Sequence, residues 1–166
     1  CRRPNGTPPW DIFTGIGFNA IPLYELPNCK VFQHRVKGLP LRVSALRSLG
    51  AYANIFSFES FMDELANRAG GDPLEIRLNH LRNDSRARDV LLAVSRSSNW
   101  GQEVEGEGLG RGLGFARYEN QKSYVAVVVD VEVDEFGNIR CLNATIAGDA
   151  GEIVDPGGLR CQLEGG

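Results

Sequence analysis

The order of patterns along the chain predicts an α+β fold: an extended N-terminal segment, three helices, a linker, an antiparallel β-meander and a C-terminal helix. Three observations predict it. Pro4, Pro8, Pro9, Pro22, Pro27 and Pro40 punctuate residues 1–45 and deny them a long helix. Between Asn54 and Ser97, apolar residues recur at helical spacing. From Gly112 onward, β-branched residues dominate between turn signals.

The extended segment holds candidate strands at Cys29–Val36 and Leu41–Ala45 and is expected to drape over a neighbouring core. The first helix runs from Asn54, with Ile55, Phe58, Phe61, Met62, Leu65 and Ala69 as its inward stripe and Gly70-Gly71 as its stop. Glu59 lies near the edge of that stripe, where it either satisfies buried loop N–H groups or simply borders the apolar face. A second, short helix opens at Asp72-Pro73, because Asp caps helices and Pro suits the first helical position. A third, about Ser85–Ser97, carries Val90, Leu91 and Val94 on one face, with Trp100 anchoring its exit.

Residues 101–111 are rich in Gly and Glu and read as a linker, with Glu103, Glu105 and Glu107 a solvated run. Strands follow at Gly112–Tyr118, Tyr124–Val133 and Ile139–Ala147, the last two joined by a turn at Phe136-Gly137-Asn138. A final helix starts near Gly157, with Leu159 and Leu163 inward and Cys161 a further inward candidate. The expected division is residues 1–100, a linker at 101–111, and residues 112–166.

The chain has 166 residues and a net charge of −3, with 42% hydrophobic and 23% charged residues, a balance that supports a buried core. A mildly acidic chain without a basic run has no electrostatic reason to hold nucleic acid or an anionic membrane. No apolar stretch approaches the roughly 20 residues of a membrane-spanning helix. Cys1, Cys29, Cys141 and Cys161 make no C-x-x-C pair, and only His34 and His80 stand beside them as imidazole ligands. They read as reduced, mostly buried thiols, not as a zinc site. His80 reads as a helix cap or surface contact. The chain starts at Cys1 and stops at Glu164-Gly165-Gly166 without a closing element, so a piece of a longer protein is expected.

Gly15-Ile16-Gly17-Phe18-Asn19-Ala20 fits a loose dinucleotide pattern, but that chemistry needs a following helix, and Pro22 and Pro27 prevent one. No Lys-Ser or Lys-Thr follows the glycines of 106–114, so a phosphate cradle of the Walker type is absent. No Ser/His/Asp or Cys/His arrangement is recoverable from spacing. A non-catalytic α+β interaction or scaffold domain is therefore one reading of these residues.

Two stretches carry a more specific reading. The first is Leu41-Arg42-Val43-Ser44-Ala45-Leu46-Arg47-Ser48-Leu49-Gly50-Ala51-Tyr52-Ala53-Asn54, continuing into Phe58-Glu59-Ser60-Phe61-Met62-Asp63-Glu64-Leu65-Ala66 and then Asp72-Pro73-Leu74-Glu75-Ile76-Arg77. The second combines Gly112-Leu113-Gly114-Phe115, Asp149-Ala150-Gly151, Asp155-Pro156 and Gln162-Leu163-Glu164-Gly165. Together, and in this order, they resemble the large, molybdopterin-binding subunit of the xanthine dehydrogenase/aldehyde oxidase family of molybdenum hydroxylases. The wording of Ser44–Tyr52 most resembles nicotinate dehydrogenase and isoquinoline oxidoreductase-type large subunits.

The resemblance implies the end of a first cofactor-binding domain and the start of a second. It implies a parent enzyme that hydroxylates an aldehyde or N-heterocycle with oxygen from water. It places Arg47, Gly50, Gln162 and Gly165 at the molybdenum–pterin cofactor and Leu49 in the substrate pocket. Leu49 stands where xanthine-oxidising members carry an aromatic residue, which argues against a purine. The residues themselves leave open that Arg47 is an exposed cap and that Gln162 and Gly165 only cap and pack a helix. No catalytic residue and no metal ligand is assigned to this chain, since the family's Gly-x-Gly-Glu and Gly-Gln-Gly stretches have no match in it. The implied partners are an iron–sulfur small subunit and a flavin- or haem-bearing electron acceptor, in a bacterial cytoplasm or periplasm. Apolar surface left uncovered would favour a homodimer.

Overall fold

A computed structural model describes residues 15–34, 40, 46–102, 104, 106–118 and 122–165. After a 3-10 turn at Gly15–Gly17 come α1 (Gly50–Ala69), α2 (Pro73–Asn79), α3 (Ser85–Ser97), β1 (Leu109–Arg117), β2 (Tyr124–Val133), β3 (Ile139–Asp149) and α4 (Pro156–Glu164). The strands form one antiparallel sheet in the order β1-β2-β3. This is the α+β order expected. Of the candidate strands, Leu41–Ala45 lies outside the described residues, as does the end of Cys29–Val36. Residues 29–34 are extended chain without strand pairing.

Side-chain caps set the helix starts. The Asp72 carboxylate accepts from the N–H groups of Leu74 and Glu75 at 2.6 and 3.2 Å, and Asp84 accepts from Ala87 at 3.1 Å. Asp72 also accepts from Trp100 Nε1 at 3.0 Å, so the residue that opens α2 anchors the exit of α3. His80 is the α2 C-cap, with Nδ1 2.8 Å from the Ile76 carbonyl. α4 starts at Pro156 behind an Asp155 cap.

One core draws on helices and sheet alike. Leu113 and Phe115 on β1 stand opposite Val128 and Ala126 on β2, and Leu91, Val94 and Leu81 close over them. The predicted linker is where the chain passes from α3 into the sheet. Arg111 holds Asp130 through bonds of 2.6 and 3.1 Å and donates to the carbonyls of Asn99 and Gln102, tying that crossing to β1 and β2. Val133 N–H donates to the Gly108 carbonyl at 2.8 Å, so the ladder starts at Leu109 instead of Gly112.

Among the described residues, the free edge of β1 is closed by side chains, not by another strand. Glu59 Oε2 accepts from the Phe115 N–H at 2.8 Å, and Arg77 Nη2 donates to the Leu113 carbonyl at 3.2 Å. Both residues are buried, and Arg77 Nε reaches Glu59 Oε2 at 3.0 Å. Tyr24 donates its hydroxyl to Glu59 Oε1 at 2.5 Å. Burial pushes the Glu59 carboxyl up, opposed by Arg77, by the Tyr24 hydroxyl and by the Phe115 N–H. Burial, then the Glu59 carboxylate, raises Tyr24. Burial disfavours the Arg77 charge, but Glu59, with Tyr24 and Asp63 beside it, holds that guanidinium above its ordinary range. Of the two roles open to Glu59, the structure shows the satisfying of a buried N–H, but that N–H belongs to a strand and not to a loop.

This arrangement corrects the inward stripe of α1. Ala51, Glu59, Met62 and Ala66 are its buried residues, whereas Phe61 is 53% exposed and Leu65 38%. The helix lies along a strand edge, so its contact is a narrow strip centred on the polar bridge. The thiols also depart from expectation. Cys29, Cys141 and Cys161 are exposed. Cys141 sits on β3, which among the described strands has a neighbour on one side alone, and α4 rests on Gly148 through Leu163 and leaves Cys161 outside.

Asp149 joins the end of β3 to α3. Its carboxylate takes Arg86 Nε at 2.7 Å and Nη2 at 2.8 Å, and accepts from the Gly151 N–H at 2.8 Å. Those bonds, Arg86 first, hold the Asp149 carboxyl down at about 2. A carboxyl lowered on folding stabilises above its unfolded value and loses that contribution as pH falls through its folded value. Asp149→Asn should therefore lower stability at pH 7 by about 0.5–1 kcal/mol, a discounted figure for a partly exposed pair. The gap to the native chain should close between about pH 4 and 2, measured by thermal melts across that range. A gap independent of pH would contradict the ion-pair origin.

Candidate functional site

The segment leading into α1 has an unusual backbone. Ser48 and Leu49 have φ of 70° and 50°, two consecutive non-glycine residues in the left-handed region. Such residues cost about 1–3 kcal/mol each and persist where the surroundings over-determine them. Leu49 occupies the N-cap position of α1 without a side-chain cap, and no acidic residue lies in the first turn. A 20-residue helix thus starts with its positive dipole end unneutralised by its own first turn.

The surroundings explain the turn. Gly50 lies against the 3-10 turn so closely that a Cβ there would sit 2.3 Å from the Ile16 carbonyl oxygen. Only glycine fits. One turn later, Asn54 Nδ2 donates to the carbonyls of Ile16 at 3.0 Å and Phe18 at 2.8 Å. On the other side, Asn19 Nδ2 donates to the Arg117 carbonyl at the end of β1, at 2.8 Å. These bonds settle where α1 starts: at Gly50, four residues before the expected start at Asn54.

Between the start of α1 and the end of the β1–β2 hairpin lies a cavity of about 380 Å³. Ser48, Ala51, Tyr52 and Phe56 form one wall, and Ala116, Arg117 and Tyr118 the other. Arg117 is engaged with Asp84 and lies with its guanidinium 5.7 Å from the Tyr124 ring centre, while Arg86 lies 4.5 Å from the same ring.

Of the residues singled out in the sequence, Arg47, Leu49 and Gly50 share one turn, but none of them lines the cavity, which that turn reaches through Ser48. Arg47 is exposed and lies outside the helix, and Leu49 is 39% exposed. Gln162 is exposed on α4, Gly165 is that helix's C-cap, and neither lines the cavity. The sequence did not mark Asn54 or Asn19 as site residues. A polar residue inside an apolar period was the signal for Asn54, but its partners are carbonyls far away in sequence.

The donor set suits an anionic group. A helix start without a side-chain cap, with Arg47 beside it and no carboxylate in the first turn, favours negative charge, while the Leu49 and Ala51 N–H groups donate within the turn to the Leu46 and Ser48 carbonyls. The same residues do not make a metal site: among the described residues, no group of three or more His, Cys, Asp or Glu converges. A metal held here would be held through its own anionic ligands. A molybdenum–pterin cofactor meets that condition.

Residues 9–81 match the family described as molybdopterin cofactor-binding domain. The chain is 37% identical over 161 residues to a nicotinate dehydrogenase subunit of Pseudomonas putida, covering 88% of this chain and 13% of the relative. It is 30% identical over 125 residues to the beta subunit of isoquinoline 1-oxidoreductase from Brevundimonas diminuta, covering 75% and 16%. It is 31% identical over 137 residues to a membrane-bound aldehyde dehydrogenase (pyrroloquinoline-quinone) of Gluconacetobacter polyoxogenes, covering 72% and 18%. The chain thus spans less than a fifth of the length of these relatives.

Proposed function

Because the chain belongs to the molybdopterin-binding hydroxylase family, we propose that in its parent protein it forms one wall of the molybdenum–pterin site of an oxidoreductase. The observation that supports this reading is the turn Arg47–Gly50, which presents the uncapped start of α1 beside the cavity. When bound, the cofactor supplies two-electron oxidation of a small carbon substrate, an aldehyde or an N-heterocycle, with water as the oxygen source.

The chain's own residues bind and orient. The backbone N–H of Arg47 would donate to the cofactor's anionic ligands, where a fixed dipole gains strength from exclusion of water, while the Leu49 and Ala51 N–H groups close the turn on the Leu46 and Ser48 carbonyls. Gly50 keeps the turn seated on the Ile16 carbonyl. Leu49, which does not line the cavity in this structure, would offer the substrate an aliphatic surface in place of a stacking one once the rest of the parent completes the pocket. Gln162 and Gly165, on α4, belong in this reading to a second stretch that meets the cofactor from the other domain. The base that takes a proton from the oxygen donor lies elsewhere in the parent, as do the iron–sulfur and flavin or haem partners that remove electrons.

The test is a charge placed at the turn. Ser48→Asp suits the left-handed backbone, because Asp tolerates that region, and it adds a carboxylate to the cavity wall and to the helix start. In the intact parent, it should lower molybdenum per protein at least about tenfold, equivalent to some 1.4 kcal/mol of repulsion. The melting temperature of the cofactor-free form should hold or rise. Full molybdenum content in the variant would sink the proposal.

A further inference from the structure

The turn at Arg47–Gly50 owes its position to a wedge of chain beneath it. Residues 15–19 run between the start of α1 and the end of β1, and side-chain amides hold them there. Asn19 Nδ2 fastens the wedge to the Arg117 carbonyl at 2.8 Å. Asn54 Nδ2 fastens it to α1 through both the Ile16 and Phe18 carbonyls, at 3.0 and 2.8 Å. Both Asn54 partners are acceptors, so its amide has a single satisfactory orientation, NH₂ toward the wedge. The Ile16 carbonyl that accepts from Asn54 is the same group that a Cβ at Gly50 would strike. One carbonyl therefore registers the helix and limits the turn.

The geometry points to Asn54 as the positioning residue of this turn. By holding Ile16 and Phe18 against α1, it sets the height of Gly50 and with it the placement of the whole Arg47–Gly50 turn. Asn54 does not line the cavity, so it acts through the backbone and not by contact with what the cavity holds. The inference rests on the reading of Arg47–Gly50 as a cofactor-contacting turn. It goes beyond that reading by naming the residue that maintains it. The turn carries two left-handed non-glycine residues, and its local bonds, Leu49 N–H to the Leu46 carbonyl at 3.1 Å and Ala51 N–H to the Ser48 carbonyl at 2.9 Å, keep its shape but do not fix its place against the wedge.

The experiment uses the intact parent with its partner subunits and two substitutions, Asn54→Ala and Asn54→Asp. Alanine removes both bonds but is the better helix former, so the helix itself is not weakened. Aspartate keeps the shape and faces the two carbonyls with an acceptor. Three quantities are read: molybdenum retained after gel filtration, the molybdenum EPR spectrum of the reduced protein, and the melting temperature of the cofactor-free form. Both variants should retain at least about tenfold less molybdenum or show altered g values in what remains, with Asp the more severe, at a nearly unchanged melting temperature. Native molybdenum content with a native spectrum in both variants would overturn the assignment. Molybdenum loss that merely tracks a collapse of the melting temperature in both would make Asn54 structural only and would overturn it as well. Ser48→Asp distinguishes the positioning role from the role of the turn itself. If it expels molybdenum while Asn54→Ala does not, the positioning role falls and the turn's role stands. If neither expels it, both fall.

Discussion

Replacing Arg77 by Met should cost the chain about 3–5 kcal/mol of stability, the range for breaking one side of a buried ion pair. Three losses coincide. The Glu59 carboxylate keeps Tyr24 and the Phe115 N–H but loses its compensating charge. The Leu113 carbonyl, on the strand edge, loses its donor. The Glu59 and Pro73 carbonyls, each within a helix, lose the second bond that they accept from the guanidinium. Urea unfolding of the native chain, Arg77→Met, Glu59→Leu and the double variant gives the coupling energy. In many proteins an apolar replacement of both members of a buried pair restores stability or improves it. Here it should recover only part, because the pair also stands in for a neighbouring strand at the edge of β1. A double variant as stable as the native chain would show that the edge needs no such substitute.

The 166-residue chain by itself should retain no molybdenum cofactor and show no turnover, although it should fold. Its core runs from Tyr24 to Val128 and joins helices to sheet, which supports an autonomous structure. The donor side is the opposite case. The turn Arg47–Gly50 supplies contacts from one direction, and a large anion needs donors that converge from several loops. A general base is worth on the order of 10²–10⁴ in rate, and the residues that line the cavity include no carboxylate or imidazole to serve as one. Reconstitution with cofactor, gel filtration and metal analysis measure the outcome. Stoichiometric molybdenum carried through the column would mean that this segment completes the site unaided.

Local rules made much of the architecture legible. Asp72-Pro73 and Phe136-Gly137-Asn138 act through neighbours a few residues away, and each stands where those rules place it. β2 matches its predicted span, Tyr124–Val133, because alternation on a strand with one buried face reports directly on burial. The start of α1 was less legible. Its first four residues, Gly50, Ala51, Tyr52 and Ala53, show no apolar period, and it is the Ile16 carbonyl and the Asn54 amide that bring the helix forward to Gly50.

The sequence by itself determined the α+β order, the caps, the registering turn of the hairpin and the family to which the chain belongs, because these depend on neighbours in the chain or on a fixed run of residues. Tertiary structure alone decided the rest. It chose Glu59 and Arg77 as the cover of a strand edge, turned Phe61 and Leu65 outward, left Cys141 and Cys161 in solvent, and seated Arg47–Gly50 on a wedge drawn from residues 15–19. The physical reason is the same in each case. A buried polar group must find its partner wherever the fold brings one, and Glu59 and Phe115 are 56 positions apart, a separation on which no local period reports.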